Sequence, residues 1–326
     1  MIYYVGVDVS KNKLDCLWLR DPENNKVKTR VFDNTAKGHQ QLGQWLLNNI
    51  KAKPEEVYVV LEATSVYHEA LTYYLHNAGF LVNVANPARV RNFAKGLGVL
   101  QKTDKKDSAV LARFGYQNGL QLWQPEPDEI RKLKSMLSRL EALESDLLRE
   151  LNRLEKAEIS NSSDVVIASL HKMIGELKVE KNRVEQEIND HIDQFPHLKK
   201  DRRLMQTIQG VGPVVSRLML SVIHSRDFKS ASGVAAYLGL VPKLRESGLQ
   251  KGRSHLSKVG PANIRAKLYM AAVVAIQHNP DIKAQYQRLL SNGKTKMQAI
   301  GAAMRKLVQI CFGVVKHQSE YQPQST

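Results

Sequence analysis

Apolar and β-branched residues fill positions 2–9 and 13–20 and are joined by the polar stretch "SKNK", a pattern that predicts two strands in a hairpin. "KVKTRVF" (26–32) reads as a third strand, and "GHQQLGQWLLNNI" (38–50) then spaces its apolar residues as a helix does. "EVYVVLEA" (56–63) is a strand of the buried type, and "EALTYYLHNAG" (69–79) is a helix closed by Gly79. "FLVNVAN" (80–86) is a strand stopped by Pro87, followed by a helix through "ARVRNFAKGL" (88–97). Strands that begin in hairpins and then alternate with helices predict an α/β domain around a mixed sheet, ending near residue 120.

"WQPEPDE" marks a boundary by its prolines. Beyond it, Leu133, Leu137, Leu140, Leu147, Leu151 and Leu154 fall at spacings of three, four or seven. "SNSSD" interrupts the pattern and supplies Ser163 or Asp164 as the next cap. Ile167, Leu170, Ile174, Leu177, Val184, Ile188 and Ile192 continue it, so two long amphipathic helices form a hairpin or coiled coil. From about residue 200 the chain is glycine-punctuated and mainly helical. In "LMQTIQGVGPVVSRLMLSVI" two apolar helical stretches flank "GVG". That arrangement suits a helix–hairpin–helix element holding a DNA phosphate, and equally an ordinary helix–helix turn. "ASGVAAYLGLVP" reads as a small-residue helix, then a polar loop leads to a helix near Pro261 and a last amphipathic helix follows "GKTK". The expected domains are 1–124, 125–197 and 198–326.

Charge sharpens this division. From His197 to Thr326 there are 21 Lys and Arg against 5 Asp and Glu, which accounts for the whole net charge of +16; the 27 basic and 27 acidic residues before it cancel. A basic block of this kind is the footprint of a polyanionic partner, and nucleic acid is the expected one. Lys294, Lys296, Arg305 and Lys306 stand on the last helix or at its approach, with Lys258 and Arg265 upstream. The low aromatic content, 6%, suits phosphate contact better than base stacking. No apolar run reaches the roughly 18–20 residues of a membrane span, and the N-terminus lacks a basic segment followed by an apolar one, so a cytoplasmic, nucleoid-associated protein is expected. Cys16 and Cys311 are too few for a disulfide framework or a cysteine zinc site.

Four carboxylates carry the candidate chemistry. Asp8 ends the first strand, in "VGVDVS", and Glu62 ends a later one, in "VVLEAT". Charged groups at strand ends face the crevice where α/β folds hold ligands. Asp104 and Asp107, in "KTDKKDSAVLA", stand three apart where a helix begins. Capping by Thr103 or Asp104 would explain that pair alone, but i and i+3 also share a helix face and could grip a cation with the other two. Two Mg²⁺ or Mn²⁺ ions held there would suit phosphodiester cleavage. "VGVDVSKNKLD" is also similar to the first phosphate loop of actin-like sugar kinases. A kinase would need a second glycine-rich phosphate loop, which is not evident, and would leave the basic tail unexplained.

Taken in order, "VGVDVSKNKLD", "LEATSVYHEAL", "NPARVRNFA", "KTDKKDSAVLA", "IQGVGPVVSRLML", "AAYLGLVPKLRESG" and "SKVGPANIRAKLYMAA" resemble the DEDD-type insertion-sequence transposases related to the Piv DNA invertases, a family of bridge-RNA-guided recombinases. The resemblance runs from Tyr4 to about Val315. It implies an RNase H-like, resolvase-like N-terminal domain whose metal-binding tetrad is Asp8, Glu62, Asp104 and Asp107. It also implies a mainly α-helical C-terminal transposase domain with Ser247, in "RESG", as nucleophile. The residues alone do not distinguish Ser247 from Ser254 and Ser257. Arg245, Lys251 and Arg253 would neutralise transition-state charge beside it, and Glu246 is either an acid or base or a surface glutamate. Further implications are donor and target DNA as substrates, a structured non-coding bridge RNA as guide, and dimers and tetramers whose protomers share active sites. The alternative reading is a metal-dependent, junction-resolving endonuclease, which explains the acids and the charge but gives the serine loop no role.

Overall fold

The computed structural model describes residues 1–24, 26–98, 104–243, 246–247, 250–251 and 255–324, with backbone only at 104–105, 246–247 and 250–251. The chain divides into two compact units, Met1–Pro125 and Glu126–Thr326.

The first unit is built on a five-stranded sheet of order β3-β2-β1-β4-β5: β1 (Tyr3–Val9), β2 (Lys13–Asp21), β3 (Lys26–Asp33), β4 (Val57–Glu62) and β5 (Leu81–Ala85). β1 to β3 form the expected antiparallel meander, whereas β4 and β5 run parallel to β1. Alternation sends Val5, Val7 and Val9 with Val57, Val59 and Leu61 to one face, where α1 (Ala36–Ile50) and α2 (Glu69–Asn77) cover them. Thr35 caps α1 by accepting from the Gly38 N–H. The other face, through Tyr58 and Val60, takes α3 (Pro87–Gly96) and α4 (Asp104–Asn118), with Val90, Leu111 and Phe114 in its core. A mixed α/β unit is thus present, with element bounds close to those read from the pattern.

The second unit is mostly helical. α5 (Asp128–Ile159) and α6 (Asp164–Gln194) are joined by a four-residue turn, and His191, late in α6, meets the Glu129 carbonyl at the start of α5 (2.8 Å), so the two run antiparallel. The half of the hairpin near that contact joins a larger core: Ile130, Leu133, Leu140, Leu143, Val184, Ile188 and Ile192 pack with the C-terminal helices, while Ala157 and Ile174 are buried farther along the hairpin. Leu151, placed on the seam by its spacing, is exposed, because a two-helix hairpin buries a narrow stripe once it leaves that core.

There follow α7 (Pro196–Gln206), α8 (Pro213–Ile223), α9 (Ala231–Tyr237), α10 (Ala262–His278), α11 (Pro280–Ser291) and α12 (Lys296–His317). Proline stands at the first helical position of α7, α8 and α11, and a reciprocal Thr295–Gln298 capping box starts α12. Arg305 and Lys306 interrupt the apolar residues of α12, so no uninterrupted apolar run reaches span length there. α12 is, among the described residues, a helix long and apolar enough to cross a bilayer, and 56% of that window is buried within this unit. The polar loop between α9 and α10 holds four two-residue strands, β6 (Pro242–Lys243), β7 (Glu246–Ser247), β8 (Gln250–Lys251) and β9 (His255–Leu256), paired β6–β9 and β7–β8.

Candidate active site

The four acids are best located by the packing of α4 on the sheet. Val7 of β1 pairs with Leu61 of β4, so Asp8 and Glu62 follow as neighbours at the C-terminal ends of two parallel strands. Tyr4 and Gly6 on β1, like Tyr58 and Val60 on β4, lie on the α4 side, and period-two alternation puts Asp8 and Glu62 there too. α4 runs against the strand direction: its Ser108 carbonyl and Ala112 N–H lie over Gly6, and Tyr116, two turns on, lies edge-to-face with Tyr4 at 5.3 Å. Its start therefore projects past Gly6 toward Asp8. One helical turn back from Ser108 is about 5.4 Å, and two residues on from Gly6 is about 6.6 Å; the backbone of Asp104 thus reaches the level of Asp8.

Gly6 makes this approach possible, since a Cβ there would fall 2.0 Å from the Ser108 carbonyl oxygen and 2.5 Å from the Ala112 nitrogen. Asp8, Glu62 and Asp107 are half-buried, and each has an interaction partner. Among the described residues no three His, Cys, Asp or Glu side chains are close enough together to hold a metal ion. The Asp104 side chain lies outside the described residues. A set of carboxylate oxygens alone is nevertheless the donor chemistry that Mg²⁺ and Mn²⁺ take.

Three residues at this edge escaped the sequence reading. Asp15 is the cross-strand partner of Asp8, half-buried and paired with Lys13 at 3.1 Å. The symmetry of "DVSKNKLD" about its turn could have found it, because hairpin register mirrors residues equidistant from the turn. Asn34 and His39 are the others. The Asn34 side chain donates to the Ser10 and Tyr67 carbonyls (2.9 and 3.0 Å) and faces His39 Nε2 at 2.8 Å. His39 is buried, which holds its pKa below the usual histidine value and favours the neutral imidazole. Only tertiary pairing links these residues to the acids, so no sequence signal marks them.

In the second unit, Ser247 pairs with Gln250, at the tip of the β7–β8 hairpin, and Glu246 pairs with Lys251. Arg245 and Arg253 lie outside the described residues, as do the side chains of Ser247 and Lys251. The loop's base is firmly closed. Gly239 (φ +71°) and Gly260 (φ +123°) cross so tightly that a Cβ on Gly260 would come 2.2 Å from the Tyr237 carbonyl oxygen. Arg265 donates to the Gly260 carbonyl at 2.8 Å and to that of Leu238 at 3.4 Å, so its guanidinium is engaged by this closure. Lys258 is exposed and left-handed (φ +54°), and its N–H donates to the Gly239 carbonyl.

Lys294 and Lys296 are exposed, while Arg305 and Lys306 are half-buried on α12. Lys306 opens onto a cleft of about 410 Å³ that it shares with Asp281, His317 and Glu320, a mixed rather than purely basic lining. Between α7 and α8, Gly210 (φ +97°) packs where a Cβ would meet that of Ala275 at 2.7 Å. Gly212, the N-cap of α8, is exposed with open space around it, as are Pro213 and Val214.

Comparison with known proteins adds an independent line. Residues 5–157 match a family of transposases of the DEDD type, and residues 202–287 match the transposase IS116/IS110/IS902 family. The chain is 30% identical over 318 residues to the pilin gene-inverting protein of Moraxella bovis, covering 96% of this chain and 95% of that one. The pilin gene-inverting protein of Moraxella lacunata is similar to the same degree, 30% over 318 residues with the same coverage. A probable family 20 transposase of Pseudomonas aeruginosa is 26% identical over 164 residues, 48% of each chain.

Proposed function

The chain belongs to the IS116/IS110/IS902 family of transposases, and from that premise we propose that this DNA transposase or recombinase cuts and rejoins DNA through a covalent phosphoserine at Ser247. The observation that best supports a catalytic role for the acids is the β1–β4 register, which sets Asp8 beside Glu62 at the strand ends toward which the start of α4 projects. We assign the N-terminal unit to the RNase H-like fold that the resemblance implies, and α5 with α6 to a coiled-coil hairpin.

In the proposed reaction the Ser247 hydroxyl loses its proton and attacks the scissile phosphate. A serine–phosphate ester forms, and the strand on the other side leaves as a hydroxyl end. The hydroxyl of an incoming strand then attacks the phosphoserine, re-forming a phosphodiester and returning the serine hydroxyl. Bond energy is conserved in the adduct, so no nucleotide triphosphate is consumed. Asp8, Glu62, Asp104 and Asp107 would hold Mg²⁺ or Mn²⁺, which when bound polarises the phosphate and favours ionisation of an attacking oxygen. Arg245, Lys251 and Arg253 neutralise charge on the five-coordinate phosphorus.

DNA is the substrate, held by the basic second unit. Lys258, Lys294, Lys296, Arg305 and Lys306 act as phosphate contacts, and the Gly210–Gly212 turn offers backbone N–H groups at the start of α8. A bridge RNA selects the sites by pairing, so the protein reads backbone shape more than bases. Inversion, as the names of the Moraxella relatives describe for those proteins, is one outcome of such strand exchange. Dimers form through the distal hairpin, where Leu148, Ile159, Val165 and Met173 are exposed, and assemble into tetramers on DNA. Light scattering that shows a monomer on RNA and both DNA partners would reject that assembly.

The deciding experiment uses end-labelled DNA spanning the element's own junction, with Mg²⁺ and with or without its flanking transcript. Wild type, Ser247→Ala and Asp104→Ala are run on a denaturing protein gel. The expected result is a labelled protein–DNA adduct lost in both variants. Cleaved DNA without an adduct, unchanged by Ser247→Ala, would make the protein a hydrolytic, junction-resolving nuclease instead.

A further inference from the structure

We propose that Asn34, oriented by His39, is the positioning residue that ties together the turns following β1 and β4, the strands whose ends carry Asp8 and Glu62. Asp8 is the penultimate residue of β1 and Glu62 the last of β4, and a turn follows each strand. Asp8 is two residues before Ser10, and Glu62 five before Tyr67. Asn34 touches both turns: its Nδ2 donates to the Ser10 carbonyl at 2.9 Å and to the Tyr67 carbonyl at 3.0 Å. Its backbone N–H adds a bond to the Asn12 carbonyl, 2.9 Å, in the same turn as Ser10.

The chemistry of the bonded groups fixes the amide's orientation. Carbonyl oxygens only accept, so the NH₂ side must face Ser10 and Tyr67, and Oδ1 must face His39. His39 Nε2, 2.8 Å from Oδ1, therefore carries the proton and donates. Both members are held by their surroundings: His39 is 4% exposed on the inner face of α1, and Asn34 stands between the end of β3 and the Thr35 cap of α1. An aspartate at 34 would turn an oxygen toward two carbonyls and lose both donor bonds, so the site requires an amide.

The turn after Glu62 needs such a tie. Ser65 lies at φ +49°, a left-handed conformation that a residue with a Cβ adopts only when its neighbours hold it there. The Ala63 N–H ties the start of that turn to the Ala85 carbonyl of β5 at 3.2 Å; within it the Thr64 hydroxyl reaches the Glu62 carbonyl at 3.4 Å and the Tyr67 N–H the Thr64 carbonyl at 3.2 Å. Asn34 connects its far end, at Tyr67, to the turn after Asp8. The inference rests on the proposed metal-binding role of the acids, in which the separation of Asp8 and Glu62 sets the affinity for the cation. Partners outside the ligand shell typically change metal affinity by about 10–100-fold.

The test uses the full chain and Mn²⁺ alone as probe, with binding read from the magnetic resonance signal of free Mn²⁺ and from the Mn²⁺-induced rise in melting temperature. Asn34→Ala should bind Mn²⁺ roughly tenfold more weakly or worse while keeping a cooperative melt, and raised Mn²⁺ should restore its adduct yield. Glu62→Gln should lose binding and not be restored. Wild-type binding by Asn34→Ala beside lost binding in Glu62→Gln overturns the positioning role and leaves the metal reading intact. Wild-type binding in both variants overturns the metal reading, and this inference with it. Should Asn34→Ala fail to melt cooperatively, His39→Leu decides: it leaves the amide in place without its orienting donor. A loss near tenfold supports the role, and unchanged affinity overturns it.

Discussion

Replacing Gly6 with alanine adds one methyl group where α4 crosses β1, and the geometry sets the size of the effect. The new carbon would sit 2.0 Å from the Ser108 carbonyl oxygen, 2.5 Å from the Ala112 nitrogen and 3.0 Å from the Leu111 Cβ. The first two are backbone atoms of a helix, so no rotamer change relieves them. Restoring ordinary contact requires α4 to lift by about 1 Å, the scale on which close-packed interiors resist. Overpacking of this kind costs about 3 kcal/mol, the upper part of its range, because backbone must move. For a unit of this size that lowers the melting temperature by about 10 °C. The same lift carries Asp104 and Asp107 away from Asp8 and Glu62, and a misplacement near 1 Å costs on the order of a hundredfold in rate. Thermal melting by circular dichroism and adduct yield over time measure the two consequences. Gly175→Ala is the control: it sits inside α6 with nothing near its missing Cβ, and should be neutral or stabilising by about 0.5–1 kcal/mol. A Gly6→Ala protein that melts and reacts like wild type would refute the close packing of α4 on β1, and with it the placement of its first turn.

Other expectations follow from single side chains. His39 titrates below its ordinary value of 6.5 when folded, so between the two values the unfolded chain holds more protons; stability is full above about 6.5 and declines as pH falls toward the folded value. Melting temperatures from about pH 7.5 to 5.5 should show this decline, with a shallower slope in His39→Leu; equal slopes would remove His39 as the cause. Arg217 on α8 is 7% exposed and holds Glu185 of α6 at 2.7 Å, keeping that carboxyl below its usual pKa. Glu185→Ala strands the guanidinium and should cost about 3 kcal/mol in urea unfolding. Glu185→Gln, which keeps an acceptor, should cost less. Tyr321→Phe removes hydroxyl bonds to Asp281 (2.7 Å) and Asn279 (3.0 Å) that tie the C-terminal segment to α11, and should destabilise by about 1–2 kcal/mol.

Local pattern determined a great deal in this protein. Period-two apolar runs and their turns gave β1 to β5, because a strand buried on one or both faces must write that burial into its own residues. The leucine spacing and "SNSSD" gave α5, α6 and the turn between them. The segregated charge pointed to a polyanion, and the motif order pointed to the transposase family. Position at strand ends and at a helix start was enough to make Asp8, Glu62, Asp104 and Asp107 candidates, since those places follow from local structure alone. Tertiary structure decided what depends on which surfaces meet. The parallel pairing of β1 with β4, contributed by segments some fifty residues apart, sets Asp8 beside Glu62. The absent side chain at Gly6 lets α4 descend, a role that glycine in a strand pattern does not announce. Arg265, by sequence one more cation for phosphate, is engaged at the carbonyls that close the serine loop. Asn34 and His39 were invisible for the same reason: a hydrogen bond between distant turns leaves no period in the chain, because it is written in the packing of elements and not in any one of them.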